Sequence, residues 1–174
     1  MWGRMIRWLL PLALVAAAGA ATAVAMNASL RSTGGTVKTA TASKYGTVLV
    51  NAKGWTLYRY TPDRKGVSTC TGACAAYWPP YLVKATSKLT AGPGATASLI
   101  GKIKRPHGLA QITYAGFPLY TYTGDRKAGD ISGQGFQHTW YMVDSRGAMV
   151  TRAAAGKPPT TTTPATTTTK KAWG

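Results

Sequence analysis

An all-β fold is predicted by three features of the sequence. Short blocks rich in Val, Ile, Thr and Tyr recur along residues 44–152; Gly, Pro and Asp-Arg turns separate them; and no stretch there holds a helical apolar period over three turns. The blocks are TVLVNA (47–52), TLYRYT (56–61), PYLVKA (80–85), AQITYA (110–115), PLYTYT (118–123) and WYMVDS (140–145). Between the third and fourth, Thr90–Lys102 carries Gly-Pro-Gly and reads as a loop with a helical turn over Ala97–Gly101.

The flanks have a different character. Residues 1–25 join a short basic segment (Arg4, Arg7) to an apolar run strongest over Leu9–Val15 and a small-residue exit, Ala23-Val24-Ala25. That order predicts a secretory signal peptide, with an uncleaved signal anchor as the alternative. Export places the remainder outside the cytosol, in the envelope or secreted. Residues 26–43 are small and polar and read as a flexible spacer. Residues 153–174 form a Thr/Pro-rich tail whose composition predicts disorder.

Charge narrows the partners. The chain has 21 Lys and Arg against four Asp and no Glu, a formal charge of +17. Such an excess favours a polyanion: nucleic acid, anionic lipid or a phosphate- or uronate-bearing wall polymer. Export argues against nucleic acid and leaves the wall polymer or a membrane surface. A monomer is expected.

The strongest signal is internal duplication. At an offset of 62, GWTLYRYTPDRK (54–65) falls on GFPLYTYTGDRK (116–127) with eight identities in twelve positions. At the same offset Val48 and Val50 meet Ala110 and Ile112, and Trp78 meets Trp140. Two units, about 45–85 and 107–147, therefore predict paired antiparallel meanders forming a sandwich or a small barrel. Lys53-Gly54 and Ala115-Gly116 are tight-turn dipeptides in which Gly supplies a positive φ. Tyr58 and Tyr60 share one strand face, as do Tyr120 and Tyr122, while Leu57 and Leu119 point the opposite way into the core. Asp63 and Asp125 stand where the strands end, placed to accept backbone amides of the following turn. The functional alternative is a ligand groove lined by the four Tyr and the two Asp-Arg-Lys corners.

The Tyr-x-Tyr-x-x-Asp repeat follows GTVLVNAKGWTLY and precedes CTGACAAYWPP; together with Gly133-Gln134-Gly135 and Trp140-Tyr141 it resembles the secreted-repeat family of predicted bacterial lipoproteins of unknown function. The resemblance covers Tyr45 to about Gly147 and implies fold and location without an activity. The chain departs from it in lacking a lipobox Cys and in carrying Asn51 and His107 where the family often has Asp.

Candidate chemistry is sparse. Cys70 and Cys74, four apart and within about 6 Å on one helical turn, predict a structural disulfide in an exported chain. The sharper alternative is redox or copper handling by Cys70 and Cys74, with His107 or His138 as an added ligand. Two histidines in separate loops more often lie at a surface. No carboxylate pair, nucleophile-base triad or phosphate loop is evident, so no catalytic residue, no cofactor and no enzyme activity are expected. The expected function is a non-enzymatic binding or structural module of the envelope.

Overall fold

A computed structural model describes residues 35–153. The signal or anchor, the start of the spacer and nearly all of the Thr/Pro tail fall outside the described residues. The elements in chain order are β1 (Gly35–Thr41), β2 (Thr47–Asn51), β3 (Tyr58–Tyr60), helix α1 (Ala73–Tyr77), β4 (Leu82–Lys84), β5 (Leu89–Ala91), β6 (Ile100–Arg105), β7 (Leu109–Tyr114), β8 (Phe117–Pro118) and β9 (Trp140–Met142). They form sheets ordered β2-β1-β5 and β4-β7-β6, with β8 hairpinned to β7, and a separate β3-β9 pair; no barrel closes. An apolar core draws Val37 and Leu49 from the first sheet and Val83, Ala110 and Ile112 from the second.

Three sequence expectations change. The spacer does not extend to residue 43: Gly35–Thr41 is β1, antiparallel to β2 from Val37↔Asn51 to Thr41↔Thr47. Its one large apolar residue, Val37, is fully buried. A strand with three Thr and a single large apolar side chain has almost no apolar alternation to read. The Thr90–Lys102 connector does contain a 3-10 turn, at Ala97–Leu99, but β5 overlaps its start and β6 begins within it. In β6 exposed Lys102 and Lys104 alternate with half-buried Ile103 and Arg105, an edge-strand pattern. Finally, only the first residue of the 118–123 block belongs to a ladder, β8; beyond it Tyr120 makes isolated bridges to Tyr58 and Pro80.

The hydrogen bonds also correct the alignment of the two units. Leu57 donates its N–H to the Leu49 carbonyl (3.0 Å), and Leu49 donates its own to Val143 (2.7 Å). The counterparts are Leu119 to Ile112 (3.0 Å) and Ile112 to Tyr81 (2.9 Å). Leu49, not Val50, is therefore the equivalent of Ile112, because the first hairpin is one residue longer. Gly54 (φ 83°) and Gly116 (φ 85°) both occupy the left-handed region, whereas only the second turn adds a preceding residue there, Ala115 (φ 50°).

These bonds define how the units join. After its aromatic strand each unit crosses to the other: residues around Tyr81, with β4 behind them, pair with β7, and Val143 pairs with β2. The repeats are thus mutually exchanged rather than stacked side by side. The pseudo-twofold axis runs between Tyr58 and Tyr120, whose N–H and carbonyl groups bond reciprocally (2.9 and 3.0 Å).

Candidate functional site

Both faces of the duplicated strand are buried. Leu57 and Leu119 enter the apolar core as expected, while Tyr58 and Tyr120 enter a second, aromatic cluster with Cys70, Trp78, Trp140 and Met142. There the motif side chains bond across the axis. The Tyr58 hydroxyl donates to Asp125 Oδ2 (2.9 Å) and the Tyr120 hydroxyl donates to Asp63 Oδ2 (2.6 Å). The second carboxylate oxygen does what the turn reading expected: Asp63 Oδ1 accepts from the Thr69 N–H (2.7 Å) and Asp125 Oδ1 from the Ser132 N–H (2.9 Å). Each phenol oxygen lies beside a further donor group, Ser68 Oγ at Tyr120 (2.8 Å) and the Gly133 N–H at Tyr58 (3.3 Å). Burial, with the adjacent Asp125 carboxylate, pushes the Tyr58 phenol far above its ordinary pKa. Burial and the Asp63 bond do the same to Tyr120. The four buried groups are a crosslink between repeats, not the walls of an open groove.

The outer motif tyrosines behave differently. Tyr60 stacks on Trp140 (4.3 Å between centroids), Trp140 on Trp78 (4.0 Å, interplanar angle 1°), and Trp78 on Tyr122 (4.1 Å). This four-ring column is again crossed, since each Tyr lies on the Trp of the other unit. Tyr58 and Tyr120 meet Trp78 and Trp140 edge-on at 5.4 and 5.1 Å. Gly133, in the Gly-Gln-Gly loop, is required by this packing: a Cβ there would lie 2.6 Å from Trp78 Cη2. Gln134 ties the same loop to β9 by accepting the Met142 N–H (2.8 Å).

The column floors a cleft of about 430 Å³. Ala73, Cys74 and Tyr77 contribute from α1, and Phe136 and Gln137 from the 3-10 turn that precedes β9. Tyr77 is 65% exposed and Phe136 37%, while Trp78 and Trp140 are only 3% and 2% exposed. These two walls stand at corresponding places in the two units and are where the units diverge, a bridged helix in one and a glycine-rich loop in the other. Tyr77, Phe136 and Gln137 carry no motif signal; their only sequence marker is that they lie in the segments the repeats do not share.

Cys70 and Cys74 form a disulfide with Cα atoms 5.3 Å apart, and the bridge pins the start of α1. His107 and His138 are exposed and lie in left-handed turn positions (φ 58° and 54°). Among the described residues no group of three or more His, Cys, Asp or Glu is placed to hold a metal ion. Away from the cleft, Arg59 is a buried cation that sequence reasoning missed. It lies 3.5 Å over the Phe117 ring and donates to the Gly147 carbonyl (2.6 Å).

Fold and site together define a duplicated β-protein whose repeats are locked by an exchanged Tyr–Asp and Trp–Tyr centre. A family model described as a secreted repeat of unknown function matches residues 38–81 and 101–144, together half of the chain. The chain belongs to that family. Both matched segments begin near the strand, β1 or β6, that leads each unit. No curated protein and no solved structure matches the chain. The family's secreted character agrees with an extracytoplasmic location; among the described residues no helix is long and apolar enough to cross a membrane.

Proposed function

We propose that the protein is a non-enzymatic module of the cell envelope that holds an anionic wall polymer through its basic surface. The observation that carries this reading is the scarcity of carboxylates, each of which already holds an intramolecular hydrogen bond. The chain has four Asp against 21 Lys and Arg. Asp63 and Asp125 are spent on the crossed tyrosines and their turns. Asp130 accepts the Arg126 and Lys127 amides (2.8 and 3.1 Å), and Asp144 pairs with Arg146 (2.8 Å) while accepting the Ala148 N–H (2.9 Å). The formal charge of +17 makes the surrounding field predominantly cationic. Lys84 and Arg105 both pair with Leu109 and so share one face across β7, with exposed Lys88 in the segment following β4.

The test is retention of the full chain on immobilised polyglycerol phosphate, with phosphatidylglycerol vesicles as the comparison. Retention is expected to vanish as ionic strength approaches 1 M, where the screening length falls to about 3 Å. Lys84→Glu with Lys88→Glu should weaken it. Binding to vesicles alone, or retention indifferent to salt, would overturn the reading. Redox or copper handling is less well supported, because both sulfurs are engaged in the bridge and Cys70 is fully buried.

A further inference from the structure

We propose that the aromatic cleft between α1 and the Phe136–His138 turn is a carbohydrate site that takes an uncharged sugar unit of the wall polymer. The inference rests on the polymer reading above and adds to it where the chain is held. Its starting point is the chemistry of the lining. Six of the nine lining residues are aromatic, none carries a formal charge, and their polar side-chain groups are the phenols of Tyr60, Tyr77 and Tyr122, the indole N–H groups of Trp78 and Trp140 and the Gln137 amide. A pyranose presents the complement: apolar C–H faces to lie against rings, and hydroxyl edges to meet phenols and an amide.

Charge complementarity separates this ligand from its rivals. A phosphate or carboxylate would find no cation in the lining, so the anionic groups of the polymer belong on the basic surface outside it. An alkyl chain would leave the phenols and the amide facing hydrocarbon. The volume of about 430 Å³ lies at the small end of ligand pockets and suits a short oligosaccharide segment rather than a folded partner.

The position of the cleft adds an independent argument. Packing the repeats requires the four-ring column, but it does not require Tyr77 to stand 65% exposed or Phe136 37% exposed above it. Those two rings occur where the units depart from their shared pattern. The disulfide fixes one wall by pinning α1, and the Gln134 bond to β9 fixes the loop that carries the other. Walls held in place in this way lower the ordering cost of binding.

The experiment follows the indole N–H signals of Trp78 and Trp140 in the full chain during titration with uncharged oligosaccharides of N-acetylglucosamine, glucose and galactose. At least one series should shift both signals, with an affinity that salt leaves unchanged. Tyr77→Ala, at an exposed position, should weaken binding at least tenfold while leaving the urea unfolding midpoint in place; Phe136→Ala should weaken binding as much and also lower the midpoint, because its ring packs on Trp78 and Tyr122. Silence toward all three series, with polyglycerol phosphate retention intact, overturns the cleft assignment and leaves the polymer reading standing. Saccharide binding without polymer retention overturns the polymer reading and sustains the cleft as a carbohydrate site. Shifts that survive both substitutions also overturn the assignment.

Discussion

Tyr58 and Tyr120 join the repeats twice, through their backbones and again through their phenols. Each hydroxyl donates to a carboxylate of the opposite unit, at 2.9 and 2.6 Å, in a buried setting. Hydrogen bonds to charged groups contribute about 1.5–3 kcal/mol. Tyr58→Phe or Tyr120→Phe is therefore expected to cost about 2 kcal/mol, read as a lower urea midpoint at unchanged slope. The same burial has a consequence at high pH. The phenols of Tyr58 and Tyr120 are raised well above their ordinary value of 10.0, and burial pushes Tyr81, whose hydroxyl donates to the Thr36 carbonyl, up to about 12. Below pH 10 these phenols are protonated in both folded and unfolded chains, and their contribution to stability is complete. Above it the unfolded chain sheds protons that the native state keeps, so stability falls as pH rises. Absorbance near 295 nm should show Tyr58, Tyr81 and Tyr120 withheld from titration until alkaline unfolding releases them together. Ionisation of all nine while the near-ultraviolet dichroism stays native would contradict this.

Elements here are short, and their junctions matter more than their lengths. Gly133 shows why. Its conformation is ordinary, yet a Cβ would meet Trp78 at 2.6 and 2.9 Å and Tyr58 at 3.0 Å. Gly66 is the opposite case, a left-handed residue (φ 73°) with open space around it. Gly133→Ala should therefore cost about 1–3 kcal/mol by overpacking and alter the near-ultraviolet tryptophan signal. Gly66→Ala should cost about 1 kcal/mol through backbone strain and leave that signal untouched. Thermal unfolding and dichroism of the two variants separate the causes. The elements legible in the sequence were those with dense alternation, β2, β3, β4, β7 and β9. β1 was hidden because Val37 is its single large apolar residue, and β6 because an edge strand with Lys102 and Lys104 looks like a solvated loop. Both strands depend on a hairpin partner, β2 or β7, that supplies hydrogen bonds regardless of side-chain pattern.

At the scale of the molecule the exchanged repeats form one cooperative body. Val143, from the second unit, pairs with β2 of the first, and β4, from the first, pairs with β7 of the second. Neither unit holds its own last strand, and neither closes its own aromatic column. Fragments divided between Ala95 and Thr96 should each be unfolded alone and should regain native near-ultraviolet dichroism on mixing. A fragment that folds by itself would show the exchange to be dispensable. In the intact chain, urea unfolding followed by tryptophan fluorescence and by far-ultraviolet dichroism should coincide in a single transition.

By itself the sequence determined the all-β class, the duplication, the inward course of Leu57 and Leu119, the bridge between Cys70 and Cys74 and the basic excess. Each is local or compositional: side-chain period, turn chemistry, a four-residue spacing, a count of charges. Only the tertiary structure decided that the motif tyrosines and aspartates bond across the axis rather than within a repeat. A period-two pattern states which face a side chain takes, not which partner waits there. The cleft was likewise beyond reading along the chain, because its walls come from α1 and the Phe136–His138 turn. Those segments are far apart in sequence and meet only because the repeats exchange strands about a common axis.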